Sequence, residues 1–196
     1  MSGGGCADGR LLVLASRLAA VWAFGYALYR WYYALGGTFG MHGTPVSMAQ
    51  WRYVNAAGGT VILILAALPL VLLRAWGSER ARPVLLALSW LIAVGGASHA
   101  LIDMADRVAS LTGALTISYP FWRTIDRRQV DLQVLFFNEP WFLIEGLLWA
   151  AIAWGGALRG SPRRWRWVGS ALGATAVLTV VGILSAFGVI GRVVVG

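Results

Sequence analysis

Residues 137–149 read FNEPWFLIEGLLW and open an apolar run that continues to Leu158. About 20 apolar residues in a helix cross the hydrocarbon of a bilayer, so the run is long enough to span one. Yet Glu139 and Glu145 sit in its first third. A charged side chain at the centre of a membrane helix costs about 2.5–3.5 kcal/mol or more. A span that begins with two carboxylates must turn them away from lipid. The fold that allows this is a bundle with a polar interior near one end.

The whole chain supports that reading. Of its 196 residues 59% are hydrophobic and 12% charged, against about 25% charged in a soluble domain. The mean hydropathy is +0.70. Only helices or closed barrels satisfy the backbone in lipid. The apolar runs are unbroken rather than alternating, which argues against a barrel. The expected fold is all-α, an integral membrane bundle of five transmembrane helices forming one domain over 1–196. The spans are placed at 12–35, 52–74, 84–108, 139–158 and 167–190. GGTFGMHGTP (36–45) reads as a glycine-rich loop, and 76–83 and 159–167 as short basic turns. Residues 113–137 form the longest connection, and FWRTIDRRQVDLQVLFF within it reads as a helix lying in the membrane interface. The glycine-rich stretch 1–10 is expected to fray, and no clear cleavage site follows the first span.

The net charge is +8, and every basic residue is Arg. In such a chain this points to cytoplasmic loops and anionic headgroups, not to nucleic acid. Arg10 and Arg17 flank the start of the first span, Arg74, Arg80 and Arg82 belong to the turn between the second and third spans, and Arg159, Arg163, Arg164 and Arg166 to the turn between the fourth and fifth. These place the N-terminus in the cytoplasm and the chain, multi-pass, in the cell membrane. Arg123, Arg127 and Arg128 on the opposite side weaken that bias. Cys6 is the sole cysteine, so neither a disulfide nor a cysteine metal cluster is expected.

Six of the eight acids map to the outer half: Asp103, Asp106, Asp126, Asp131, Glu139 and Glu145. His99, Asp103 and Asp106 fall at i, i+4 and i+7, on one helix face. Asn138, Trp141 or Phe142, Glu145 and Trp149 share a face of the fourth span, with Glu139 off that stripe and nearer the surface. Tyr26, Arg30 and Tyr33 line up on the first span, and Arg52, Asn55 and Gly59 on the second. One explanation is structural: Arg30, Arg52 and Arg107 pair with Asp103, Asp106 and Glu139 as interhelical glue. The alternative is a pocket open to the outer side. His99 alone reads as a hydrogen-bonded core histidine and His42 has no clear partner, so no metal and no cofactor are expected.

Eleven tryptophans are many for this length. Trp51, Trp76, Trp122, Trp165 and Trp167 fit the interfacial belt, whereas Trp31 and Trp141 adjoin the acids. A carboxylic acid in low dielectric keeps its proton near neutral pH and can donate it. Aromatic faces stabilise a developing cation, and water exclusion protects it. Together these suit protonation of an alkene or epoxide in an isoprenoid. Burial also weakens the acid, so the donor needs a neighbour that stabilises its conjugate base.

YRWYYALGGTFG (29–40) and LFFNEPWFLIEGLLWAAIAW (135–154) resemble a family of small actinobacterial membrane proteins of unknown function. The resemblance covers about 20–158 and makes the fifth span an addition. The family pattern often carries glycine where this chain has Glu145, and it implies no activity. In kind, the chain is similar to small bacterial membrane terpene cyclases and to emopamil-binding-type isomerases. That similarity implies an acid and aromatics working within the membrane.

The expected function is a proton-initiated terpene cyclase, a lyase by class, or an isoprenoid isomerase working through a carbocation. Glu145 is the first choice of acid and Asp103 the second, with His99 and Asp106 in support. Tyr26, Arg30, Trp31, Tyr33, Asn55, Asn138, Glu139, Trp141, Phe142 and Trp149 are the expected substrate-binding residues. The expected partners are the lipid bilayer and a lipophilic small-molecule substrate. Small-residue pairs such as Gly58-Gly59, Gly95-Gly96 and Gly155-Gly156 serve packing within the fold or an oligomer equally. No aspartate-rich diphosphate motif is present, so ionisation of a prenyl diphosphate is not expected. The competing readings are a small proton-coupled transporter and a non-catalytic accessory subunit.

Overall fold

The computed structural model describes residues 4–157 and 163–190. Residues 1–3 of the glycine-rich start and 158–162, within the end of the fourth span and the basic turn after it, lie outside the described residues. Six α-helices carry the chain: α1 (Gly4–Ala34), α2 (Met48–Ala75), α3 (Arg82–Leu111), α4 (Arg127–Gln133), α5 (Glu139–Gly156) and α6 (Arg163–Ala186). Since α4 runs on into α5, five helical runs are long and apolar enough to cross a membrane.

The principal contacts run in the order α2, α1, α5, α3, α6. Close approach comes from small residues. Ala15, Ala19, Ala23 and Ala27 recur every fourth position on α1 and are all buried. A Cβ on Gly155 would stand 3.0 Å from Leu12 N, so α5 meets α1 backbone to backbone there. Ala15, Ala19, Trp76, Leu85, Leu86, Ala93, Trp149, Ile152 and Ala157 form an apolar core toward the end where α1 and α3 begin.

The opposite end is closed by loops. Gly36 (φ 101°) and Gly113 (φ 79°) follow the ends of α1 and α3, where only glycine takes a left-handed turn without strain. Ser47 caps α2, accepting from Gln50 N at 3.3 Å. The loop expected at 36–45 contains a short strand, β1 (Gly43–Pro45), paired antiparallel with β2 (Trp122–Ile125). Asp126 N donates to His42 O at 2.7 Å beside the pair. The two loops thereby satisfy each other's backbone groups.

Three expectations need correction. The glycine-rich start is helical from Gly4, not frayed to residue 10. The fifth helix spans Arg163–Ala186, earlier than 167–190. The segment 121–137, expected as one helix, is instead divided into β2 (Trp122–Ile125) and a helix that continues into α5. That helix starts at Arg127, capped by Asp126, which accepts from Gln129 N at 3.1 Å. It reaches α5 through a π-helical turn, Val134–Asn138, in which Glu139 N donates to Val134 O. The physical reason is Pro140. A proline inside a helix lacks an N–H and clashes with the carbonyl four residues earlier, and a widened turn relieves both.

Candidate functional site

One face of α3 meets the α4–α5 run along a line of ionisable groups. Deepest is His99, whose Nε2 lies 3.7 Å from Glu139 Oε2. The Glu139 side chain is 4% exposed, the His99 side chain 55%. Asp103 stands one turn along α3, and its Oδ2 accepts from Arg107 Nη2 at 3.3 Å. Arg107 Nη1 reaches Asp131 Oδ1 at 3.3 Å and the Tyr119 hydroxyl at 2.8 Å. Tyr119 and Ser110 both donate to Asp131, Ser110 at 2.6 Å. Buried Asp131 is thus held by three side chains, as a charge away from water must be. Asp106 adds a half-buried acid whose Oδ1 has no partner within the described protein. Tyr119 lies in the connection outside the spans. Burial first, and its bond to Asp131 second, push its phenol up to about 12.

A second site lies on the seam between α1 and α5. Glu145 Oε1 accepts from Trp149 Nε1 at 2.8 Å, and its Oε2 is buried without a hydrogen-bond partner. Higher on the seam the rings of Trp22 and Trp141 stack at 4.3 Å. Tyr26 packs on Trp141 at 5.4 Å and edge-on to Phe142 at 5.2 Å. Phe142 in turn meets the His99 ring edge-on at 5.0 Å.

A cavity of about 150 Å³ opens elsewhere, between α1, α2 and α4 beneath the loops. Arg30, Tyr33, Asn55 and Asn138 line it together with Trp51 and Tyr119. Asn55 is fully buried, and its Nδ2 donates to Trp51 O at 2.9 Å, which leaves Oδ1 without a partner.

The expected site residues therefore fall into three groups rather than one pocket. His99, Asp103 and Glu139 come together, with Asp106 beside them. Glu145, Trp149, Tyr26, Trp141 and Phe142 belong to the seam. Arg30, Tyr33, Asn55 and Asn138 line the cavity, which Glu145 and Asp103 do not line. Trp31 packs on α2, where a Cβ on Gly59 would stand 2.8 Å from its ring. Of the expected arginine pairings, Arg107 to Asp103 forms. Arg30 lies over Gly58 and Arg52 over Gly36 instead. Sequence reasoning names Asp131 only among the outer acids, misses Tyr119 and Ser110, and sets Glu139 off the stripe of its own helix. The signal for Asp131 was Asp126, a helix-capping residue that starts α4 just before it. Among the described residues, one imidazole and two carboxylates are placed where they could hold a metal ion: His99, Asp103 and Glu139.

Compared with protein-family models, curated proteins and solved structures, the chain matches none. The resemblance of 29–40 and 135–154 thus carries no family assignment, and function rests on the geometry alone.

Proposed function

We propose that the chain is a multi-pass protein of the cell membrane, with its N-terminus in the cytoplasm, that protonates a lipophilic isoprenoid substrate and so isomerises or cyclises it. Exposed Val61, Ile64 and Val71 on α2 and Leu172, Val177 and Val180 on α6 support a bilayer around the bundle. The observation that carries the chemistry is the 2.8 Å bond from Trp149 Nε1 to Glu145 Oε1. It supplies what a buried acid needs, a fixed donor that stabilises the carboxylate left after the proton departs. Oε2, without a partner, is the oxygen from which that proton leaves. Exposed Ile144 and Leu147 on α5 give the bundle an apolar outer surface near this level, as a lipophilic substrate dissolved in the bilayer requires.

The step balances without a cofactor. The Oε2–H bond breaks, a C–H bond forms at one alkene carbon, and the π pair is consumed, leaving a tertiary carbocation. A second alkene then closes a ring on the cation, or a neighbouring C–H yields its proton. In either case the last proton returns to the Glu145 carboxylate. The rings of Trp22, Tyr26 and Trp141 lie along the same seam and can face the cation. A transport reading would need polar groups through the other half, where residues 60–73 of α2 and 146–156 of α5 include no ionisable side chain.

The test is product formation by detergent-purified protein from farnesylated and geranylgeranylated small molecules in deuterated water. Deuterium at one site of a cyclised or isomerised product is expected. Glu145→Gln should slow turnover about 10²–10⁴-fold, the usual contribution of a general acid. Trp149→Phe should slow it about tenfold, the worth of one hydrogen bond. Absence of conversion by folded wild type, or equal turnover by Glu145→Gln, overturns the proposal.

A further inference from the structure

We infer that His99, Asp103 and Glu139 form a binding site for a divalent transition-metal ion of the zinc type. The inference stands on its own geometry and does not depend on Glu145. His99 and Asp103 are one helical turn apart on α3, and Glu139 approaches from the start of α5. One ligand atom from each, an imidazole nitrogen or a carboxylate oxygen, lies within 4.8 Å of the others. Around a tetrahedral ion with bonds of about 2.0–2.2 Å, such atoms stand ~3.4 Å apart. Side-chain rotation of about an ångström closes that difference.

Two further observations point to a cation. Glu139 is 3% exposed, yet its Oε2, facing His99 Nε2 at 3.7 Å, accepts no hydrogen bond. A buried carboxylate oxygen left this way is costly unless a charge completes it. The second is charge. Asp103, Asp131 and Glu139 are three carboxylates on one connected line, and Arg107 is the one guanidinium on it. Among apolar helices a carboxylic acid keeps its proton unless a cation takes its place, and a divalent ion would do so here.

The ligand set selects the ion. Imidazole with carboxylates suits zinc and its neighbours, whereas magnesium and calcium prefer oxygen alone. Arg107 donates to Asp103 Oδ2 at 3.3 Å and so orients that carboxylate, as a neighbour of a metal ligand does. The His99 side chain is 55% exposed, so protein does not enclose its imidazole.

The experiment uses the full chain, free of any affinity tag, stripped with chelator in detergent. Zinc binding is measured by equilibrium dialysis with elemental analysis, and cobalt(II) is added as a spectroscopic probe. One zinc per chain is expected, displaced poorly by magnesium, and cobalt should give visible d–d bands of low coordination number. His99→Ala and Glu139→Gln should each weaken zinc at least tenfold and remove the cobalt bands. Glu139→Gln keeps the size of the side chain, and a single symmetric elution peak checks that it folds. Glu145→Gln should bind zinc as wild type does, so failure of the proton chemistry leaves this result unaffected. No zinc retained by wild type, or zinc retained equally by His99→Ala and Glu139→Gln, overturns the site.

Discussion

Trp22 and Trp141 each donate an indole N–H to the other's backbone carbonyl, at 3.0 Å from Trp22 and 3.2 Å from Trp141. The two stacked rings thus bind α1 to α5 twice over. A Cβ on Gly25 would stand 3.3 Å from the Trp141 ring, so its absence gives that ring room. Trp22→Phe or Trp141→Phe keeps a ring in place but deletes one bond, at about 1 kcal/mol each. The double should fall short of the sum, because the two rings also stack and each substitution changes the other's packing. Thermal unfolding in detergent of the singles and the double reads this directly. A double variant no worse than either single would show that the bonds act as one unit.

Gly146 makes a sharper claim. A Cβ there would stand 2.9 Å from Ala97 N and 3.0 Å from Ala93 O, both rigid backbone atoms of α3. Gly146→Ala should therefore destabilise by about 1–3 kcal/mol, although alanine favours a helix by about 1 kcal/mol. At Gly95 a Cβ would meet nothing within 4 Å. Gly95→Ala should leave the melting temperature unchanged or raise it. Reversal of that order would refute the close crossing of α3 and α5.

Arg107 is the one cation between Asp103 and Asp131. Arg107→Met should cost about 3–5 kcal/mol, because it leaves Asp131 buried and unpaired. Adding Asp131→Asn removes the stranded charge and should restore part of the loss. Unfolding of the two singles and the double gives the cycle, and strict additivity would contradict the pairing.

Tyr119 sets an alkaline limit. Its phenol, pushed up to about 12, keeps its proton in the fold where an unfolded tyrosine at 10.0 has lost it. Its contribution to stability is complete below about pH 10 and is lost as pH climbs toward 12. Wild type should therefore lose melting temperature through that window, and Tyr119→Phe, already weaker at neutral pH, should lose less. Phenolate absorbance that rises for every tyrosine together near pH 10 would argue against the buried bond to Asp131.

The five apolar runs were legible because a span must be long and continuous, a property of local sequence alone. His99, Asp103 and Asp106 were grouped correctly on one face by helical spacing, for the same reason. What the sequence concealed lay across helices. Glu139 reads as off-stripe on α5, yet rotation of the whole helix about its axis, set by packing, turns it to His99. Asp131 was placed in a surface segment because Arg127, Arg128 and Asp131 interrupt the apolar run. Their helix is fixed by the Asp126 cap and the Arg107 pairing, and the second of these is invisible to periodicity. Charge alone offers the acids as partners for Arg30, whereas the absence of a side chain at Gly58 leaves room for it against α2.

The π-helical turn before Pro140 also decides which residues share an edge. Eight residues of regular helix separate Asp131 from Glu139, and at about 100° each they would leave the two about 80° apart. The wider turn over Val134–Asn138 absorbs about one residue of that rotation. Both acids then meet α3, Asp131 at Arg107 and Glu139 at His99. Deleting one residue between 134 and 138 would leave seven residues of regular helix, about 20° short of two full turns, and should therefore remove the wide turn while keeping both acids on the side of α3.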